Sequence, residues 1–549
     1  MNVELGTSFC FDDILMEPLL SNISSRKSIC LETNIGINNR KLILKTPLIS
    51  SPMDTVTETD MAIKMALTGG IGIIHRYMSI EDQVAQVTKV KRFLQYIISE
   101  PYKIKPNTNL QEIEQLRKLY NVSSFCVVND YNENILIGIL TKRDIEYMKH
   151  CQNYYNTNKN IEIPDIIASD FMTKLEKINT ISISNTCSST SNDYNLNLEN
   201  TLSLAKDLIH TNKIEKIPIL RDNTLIGLIT LKNICHYENN KSKACIDSNG
   251  ALCVGAAIGI IDDYMDRLDK LINAGADLIC IDVANGFNTN LFNSITTIRT
   301  IYPNILLMVG NICNWQGYAA LAQYDIDCIR VGVGNGSICT TRLETGIGKG
   351  QFSAVSECFQ YKAKTEQIIN NNNNNNTNNN NHNTTITTTT TYKQLPNLIC
   401  DGGSLGKTGN KVKALACGSS AIMLGRTLAS TIESPGTIIH RNGKRFKYIR
   451  GMASTMANIS KQEKDKHNES MEKHVSVSTH SEGVDGEQEL TGSVVDVIDQ
   501  INGGLKSGMS YLGCETIQQL HNKNAKGEIQ FNLVTSIGIS ENGIRVKTY

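Results

Sequence analysis

Asp277-Leu278-Ile279-Cys280-Ile281-Asp282 is an apolar run that ends on a carboxylate, and the same plan recurs along the chain. Residues 304–309 run into Gly310-Asn311, and Asp327-Cys328-Ile329-Arg330-Val331 runs into a glycine-rich loop. Leu398-Ile399-Cys400 runs into Asp401-Gly402-Gly403, and Ala421-Ile422-Met423-Leu424 runs into Gly425-Arg426. Runs this short and this uniformly apolar suit parallel strands covered on both faces. Glycine and polar residues at the C-terminal end of one strand after another predict an α/β fold, a (β/α)8 TIM barrel. The alternative is a doubly wound open sheet, but no GxGxxG fingerprint supports it. Two earlier runs extend the series. Pro47-Leu48-Ile49-Ser50 leads into Ser51-Pro52-Met53-Asp54, and Gly70-Ile71-Gly72-Ile73-Ile74 leads into His75-Arg76. The barrel is therefore expected to start within residues 1–95 and to resume over 241–549.

Residues 96–240 follow a different rhythm. Two similar units end in Ile135-Leu136-Ile137-Gly138-Ile139-Leu140-Thr141-Lys142-Arg143-Asp144-Ile145 and in Leu225-Ile226-Gly227-Leu228-Ile229-Thr230-Leu231-Lys232-Asn233-Ile234. Each has a helical stretch, two strands around a turn, then a second helix. A repeat on this scale implies two stacked copies of one unit. It resembles a tandem pair of CBS motifs, a regulatory module that senses adenine nucleotides. A Ser/Thr/Asn-rich segment, 181–197, stretches the second copy. Residues 366–394 include an almost pure Asn/Thr tract, which cannot bury enough apolar surface to order itself. That insert is expected to be a disordered surface loop without a catalytic role.

Composition narrows the function classes. The 549 residues hold 54 Lys plus Arg against 54 Asp plus Glu, so the net charge is zero. Neither a nucleic-acid surface nor a membrane surface is indicated. No apolar run is long enough for a membrane span, and Met1-Asn2-Val3-Glu4 does not open a secretory leader. The 16 cysteines include no CxxC pair, which points to free thiols in a reducing cytoplasm. The ten histidines do not cluster as metal ligands.

The glycine-rich loop reads Gly332-Val333-Gly334-Asn335-Gly336-Ser337-Ile338-Cys339-Thr340-Thr341-Arg342. Glycine allows close backbone approach to a ligand and positive φ. A cysteine presented on such a loop is a candidate nucleophile, with a buried structural thiol as the plain alternative.

Phe11-Asp12-Asp13-Ile14-Leu15, the run from Ser50 to Glu58, Gly69-Gly70-Ile71-Gly72-Ile73-Ile74-His75-Arg76, the cysteine loop, Asp401-Gly402-Gly403 and Gly503-Gly504-Leu505-Lys506-Ser507 together resemble the IMP dehydrogenase/GMP reductase family. The resemblance implies a purine nucleotide substrate. Backbone amides at Ser337, Gly402, Gly403, Gly425 and Arg426 would cradle its 5′-phosphate. Asp401 would accept from the ribose hydroxyls, Ser51 and Met53 would touch base and sugar, and Gly451, Met452 and Ser454 would face the base. Asp282, Ala284, Asn285, Gly332 and Gly334 would lie beside the nicotinamide cofactor. A monovalent cation such as K+ on the carbonyls of Gly334, Gly336 and Cys339 is a further expectation, as is a homotetramer or octamer. An adenine or guanine nucleotide would act as effector at the CBS-like module.

In both branches of the family the cysteine thiolate adds to purine C2. The dehydrogenase then passes hydride to NAD and hydrolyses the adduct, using an Arg-Tyr pair on a mobile flap. The reductase expels ammonia and accepts hydride from NADPH. The flap would span residues 456–490, yet no arginine occurs from 451 to 544, and the one tyrosine there, Tyr511, lies beyond it. Lysine does not reproduce arginine's geometry or charge state. Asp282-Val283-Ala284-Asn285-Gly286, Cys339-Thr340-Thr341-Arg342 and Ser481-Glu482-Gly483 resemble the reductase forms of these motifs. They predict an NADPH-dependent GMP reductase with Cys339 as nucleophile and with Thr341 and Glu482 as proton donors. The segment 493–520, with Tyr511-Leu512-Gly513-Cys514, looks closer to the dehydrogenase. An NAD-dependent IMP dehydrogenase is the alternative, and a retired nucleotide sensor is a third.

Overall fold

The computed structural model describes residues 6–94, 97–98, 101–120, 122–157, 166–183, 198–221, 223–261, 263–378, 394–403, 405–454, 457, 481–535 and 537–538. Two compact units emerge, one from Met1–Phe93 with Lys243–Tyr549 and the other from Leu94–Ser242.

The first unit is a closed barrel of eight parallel strands. In chain order these are β1 (Leu48–Ser50), β2 (Ile71–Ile74), β3 (Gly255–Ile258), β4 (Leu278–Asp282), β5 (Leu306–Ile312), β6 (Cys328–Val331), β7 (Asn397–Asp401) and β8 (Ala421–Leu424). Closure comes from β8 beside β1, with Ile422 opposite Leu48 and Met423 opposite Ile49. The fold is thus the (β/α)8 barrel expected from the repeated runs, with the second unit inserted between β2 and β3. Every residue of β1, β2, β3, β6 and β8 is buried. Residues Ile49, Ile73, Ala257, Cys280, Met308 and Met423 meet in one interior cluster, so the barrel is a packed core.

Helices cover the outside. Thr59–Leu67 lies against β2, where a Cβ on Gly72 would fall 2.6 Å from Ala62 Cα. Glycine at that position lets helix and strand touch. Asn288, Asn314, Ser493 and Thr516 cap four of the helices, each side chain accepting a first-turn backbone N–H.

Two expectations need correction. β5 does not stop before Gly310-Asn311 but continues to Ile312. The register shifts between Gly310 and Ile312, and the bare Gly310 admits the β6 backbone and Arg330 against it. The helix Gln351–Asn378 runs into the stretch 366–394 expected to lack structure. Its first turns bury Gln351, Phe352, Ala354 and Val355, and a helix once nucleated propagates into neighbouring residues at little cost. The remainder of that insert, 379–393, lies outside the described residues. Most of the stretch 456–490, expected to be a mobile flap, lies outside the described residues, and only its C-terminal end enters a ribbon. Asp485–Glu489 pairs antiparallel with Lys444–Arg450, which also pairs with Ile438–Arg441.

The second unit contains two four-stranded sheets. One runs Thr173–Lys174, Leu136–Leu140, Phe125–Val128, Lys103–Ile104. The other runs Ile181–Ile183, Lys216–Arg221, Thr224–Thr230, Ile97–Ile98. Each sheet takes an edge strand from the segment preceding the other copy, antiparallel to Leu136–Leu140 and to Thr224–Thr230 respectively. The two copies exchange edges, and Cys126, Val128 and Leu136 pack with Leu220, Leu225 and Leu228 in a cluster that joins them. The repeated threonines cap helices. Thr141 Oγ1 donates to Asp144 at 2.7 Å, and Thr230 Oγ1 accepts the Asn233 N–H at 3.1 Å. Among the described residues no helix is long and apolar enough to cross a membrane.

One buried carboxylate fastens the hairpin of Thr33–Asn34 and Ile43–Leu44 to the barrel. Asp327, fully buried, accepts from Arg40 Nε at 2.9 Å, Arg299 Nη2 at 2.9 Å and the Leu307 N–H at 2.9 Å. Removing Asp327 would leave Arg40 and Arg299 with only the more exposed Asp325 as carboxylate partner. Asp327→Ala is expected to destabilise the barrel by about 3 kcal/mol, seen as a lower denaturant midpoint of its unfolding transition. An unchanged midpoint would show that Asp325 alone is enough for both guanidinium groups.

Candidate active site

Closing the barrel brings the C-terminal ends of all eight strands to one rim, and the expected site residues lie on the loops that leave it. After β6 the chain turns through Gly332, at φ 148°, and Gly334, at φ 64°. A Cβ on Gly332 would strike the Asp401 carbonyl oxygen at 2.3 Å. Asn335 Nδ2 donates to that same carbonyl at 2.8 Å, and Gln351 Nε2 donates to the Val331 carbonyl at 2.7 Å. Arg342 Nε donates to the Val333 carbonyl at 3.1 Å. The loop is therefore tied to β7 and to itself before it reaches Cys339.

Cys339 is half-buried, and its Sγ lies 3.2 Å from Thr341 Oγ1. Thr341 Oγ1 in turn donates to Glu482 Oε2 at 2.7 Å. A backbone ladder holds this chain of contacts. The Thr340 N–H donates to the Glu482 carbonyl at 2.9 Å, the Val484 N–H to the Ile338 carbonyl at 3.0 Å, and Cys339 bridges Gly483. Two bare backbones make room, since a Cβ on Gly451 would sit 3.1 Å from Gly483 Cα. The Gly336 carbonyl accepts the Cys339 N–H at 3.1 Å, closing the turn beneath the thiol.

Asp401, at the end of β7, is held by β5 and β6. Its Oδ2 accepts from Asn311 Nδ2 at 2.8 Å, Arg330 Nη2 at 2.8 Å and Arg330 Nε at 3.2 Å. Arg330 Nη1 donates to Asp282 Oδ1 at 2.7 Å. Burial alone would lower the Arg330 pKa, but the carboxylates of Asp401 and Asp282 raise it well above its ordinary value. Burial pushes Cys280 itself up to about 12, so it faces Arg330 as a neutral thiol. The two carboxylates therefore carry the compensating charge.

Gly402 and Gly403 follow Asp401 with φ of 72° and 87°, beside Asn335. Across the rim, the Ser51 N–H donates to the Leu424 carbonyl at 3.0 Å. A Cβ on Gly425 would lie 3.3 Å from Met53 Sδ and 3.9 Å from Ser51 Cβ, so these three residues share one wall. Arg426 is exposed and donates through Nε to Gln488 Oε1 at 3.2 Å. The 451–454 turn closes with the Ser454 N–H on the Gly451 carbonyl at 2.9 Å. Ala284 and Asn285 are exposed on the turn after β4, where Asn285 Oδ1 accepts the Phe287 N–H. Ser337 is exposed on the cysteine loop, and among the described residues it makes no hydrogen bond to another expected site residue.

Four supporting residues were not singled out from the sequence. They are Arg330, Asn311, Tyr77, which donates to the Met452 carbonyl at 3.0 Å, and Arg450, whose Nε donates to Asp54 Oδ2 at 2.8 Å. Arg330 carried a signal, because a charge inside an otherwise apolar strand must have a partner. Arg450 and Tyr77 carried none, since their partners lie far away in the sequence.

The relatives are consistent with this geometry. The model of the IMP dehydrogenase / GMP reductase domain matches residues 8–373 and 382–545. The inosine-5′-monophosphate dehydrogenase of Bacillus subtilis is 36% identical over 536 residues, covering 97% of this chain and 94% of that protein. The Nitrosopumilus maritimus protein of the same name is 35% identical over 521 residues, covering 94% of this chain and 95% of its own. Among solved structures, a substituted GMP reductase from Trypanosoma brucei in complex with guanosine 5′-monophosphate has a TM-score of 0.80 at 30% identity, with 99% of both chains covered. GMP reductase from the same organism in complex with guanosine 5′-triphosphate has a TM-score of 0.70 at 27% identity, covering 97% of this chain and 99% of its own. By its barrel, its cysteine loop and a match that spans nearly its whole length, this chain belongs to the IMP dehydrogenase/GMP reductase family, oxidoreductases of purine nucleotides that use NAD(P).

Proposed function

We infer that the chain is a GMP reductase, converting GMP to IMP and ammonia at the expense of NADPH. The observation that carries this reading is the contact chain from Cys339 Sγ through Thr341 Oγ1 to Glu482 Oε2, at 3.2 Å and 2.7 Å. A hydroxyl between a nucleophile and a carboxylate suits proton delivery to a leaving group. In the first step the Cys339 thiolate forms a C–S bond at purine C2. The C2–N bond then breaks, and the amino group leaves as ammonia with a proton supplied through Thr341 and replenished by Glu482. A nicotinamide nucleotide held beside Asp282, Ala284, Asn285, Gly332 and Gly334 would supply the hydride that C2 takes up. The C–S bond then breaks, and Cys339 recovers its thiolate as IMP leaves.

The rest of the rim supports a nucleotide in this position. Asp401 offers its Oδ1 to the ribose hydroxyls, since among the described residues the hydrogen bonds to its carboxylate all fall on Oδ2. Gly402, Gly403, Gly425 and Arg426 would hold the phosphate, with Ser337 facing it. Ser51, Met53, Gly451, Met452 and Ser454 would border the base. Asp282, beside Ala284 and Asn285, keeps Oδ2 clear of hydrogen bonds among the described residues. That leaves an acceptor at the edge of the cleft, which fits the hydroxyls or amide of a nicotinamide nucleotide.

A second reading is IMP dehydrogenase. It is favoured by the names and high coverage of the sequence relatives. It would have to activate water without the Arg-Tyr pair, because residues 451–544 hold no arginine. The unit Leu94–Ser242, with its exchanged edge strands, is read as a tandem CBS regulatory module. The GTP complex of the trypanosomal reductase supports guanine nucleotides as its effectors.

Oxidation of NADPH that depends on GMP is the expected activity, followed at the NADPH absorbance band. Reduction of NAD with IMP, and no GMP-dependent oxidation, would favour the second reading. Cys339→Ser is expected to abolish turnover. Thr341→Val and Glu482→Gln should each lower kcat by about 100-fold with little change in KM for GMP. A normal kcat in Glu482→Gln would remove that carboxylate from the proton path. GTP or ATP at about 100 times its Kd should stabilise the second unit by about 2.7 kcal/mol, seen as a higher melting temperature. No shift with either nucleotide would count against an effector site there.

A further inference from the structure

Arg330 is 5% exposed and sits inside the barrel between the two carboxylates assigned to different ligands. Its Nε and Nη2 converge on one oxygen of Asp401, and its Nη1 reaches one oxygen of Asp282. The other oxygen of each carboxylate is left for a ligand. A planar guanidinium has its donors in a fixed fork, so the angle at which it grips one carboxylate sets where it meets the other. It has little freedom to adjust, because it is buried within the barrel and Cys280 Sγ lies 3.4 Å from Nη1.

We propose that Arg330 is a shared positioning residue that couples the nucleotide site to the cofactor site, so that Asp282 controls nucleotide affinity although the nucleotide does not touch it. The proposal rests on the reading that Asp401 holds the ribose of the nucleotide and Asp282 faces the cofactor. When Asp282 loses its charge, Nη1 keeps only a weaker neutral acceptor. The fork is then free to tilt, and the orientation of Asp401 is lost with it. Residues in one buried ion network depend on one another in this way, whereas separate sites act independently. Lysine at position 330 would keep a positive charge but could not span both carboxylates.

Binding of GMP to the full-length protein by titration calorimetry, without cofactor, tests this. Asp282→Asn is isosteric and should weaken GMP binding roughly tenfold. Arg330→Lys should weaken GMP binding at least as much, and adding Asp282→Asn to it should have little further effect. Asp401→Asn should weaken GMP binding in every background. Unchanged GMP affinity in Asp282→Asn, with Asp401→Asn still weakening it, overturns the coupling and leaves the ribose assignment standing. Unchanged GMP affinity in Asp401→Asn overturns that assignment, and the proposal with it. Equal losses from Asp282→Asn in the presence and absence of Arg330 would also overturn it, since a general loosening of the fold does not depend on the guanidinium.

Discussion

The pairing of β8 with β1 is the constraint on which the site depends. These strands are separated by most of the chain, yet Leu48 lies opposite Ile422 and Ile49 opposite Met423. Without that pairing the sheet would be open, with unpaired edges at β1 and β8. With it, the loop holding Ser51 and Met53 comes to Gly425, and all the strand ends face one rim. The loops can then differ freely in length, because the barrel beneath them fixes where each begins. A module of about 150 residues between β2 and β3 is tolerated for the same reason, since loop-closure entropy grows slowly with length.

Chemistry at the rim depends on a second long-range pairing, the ladder between residues 338–340 and 482–484. Backbone hydrogen bonds place the Glu482 side chain with little freedom, so its contact with Thr341 does not rely on two exposed side chains finding each other. The ribbon built from Lys444–Arg450 and Asp485–Glu489 delivers that segment back to the barrel. Residues Gly451 and Gly483 let the two backbones approach where the ladder meets the 451–454 turn.

The sequence made the barrel legible because its strands are buried on both faces and read as plain apolar runs. The ribbon was not legible. Lys444–Arg450 and Asp485–Glu489 are rich in charge, and their pairing is set by a partner about forty residues away rather than by burial. The helix Gln351–Asn378 entered the asparagine tract because its apolar first turns nucleate it, which composition alone does not reveal. Cys339, Thr341, Asp401 and Glu482 stood out through motifs. The network behind them did not, although Arg330 in the middle of an apolar strand pointed to acidic partners. Asp282 and Asp401 are such partners, and their common guanidinium links two loops that the sequence shows only as separate strand ends.

Deamination and dehydrogenation differ in whether the bond broken at purine C2 is the one to the amino nitrogen. Product analysis of a single turnover, with enzyme in excess over GMP and NADPH present, addresses that bond directly. The account predicts one IMP and one ammonia for each NADPH oxidised, with no product when Cys339 is replaced by serine. Recovery of unchanged GMP, together with formation of XMP when IMP and NAD are supplied instead, would contradict it.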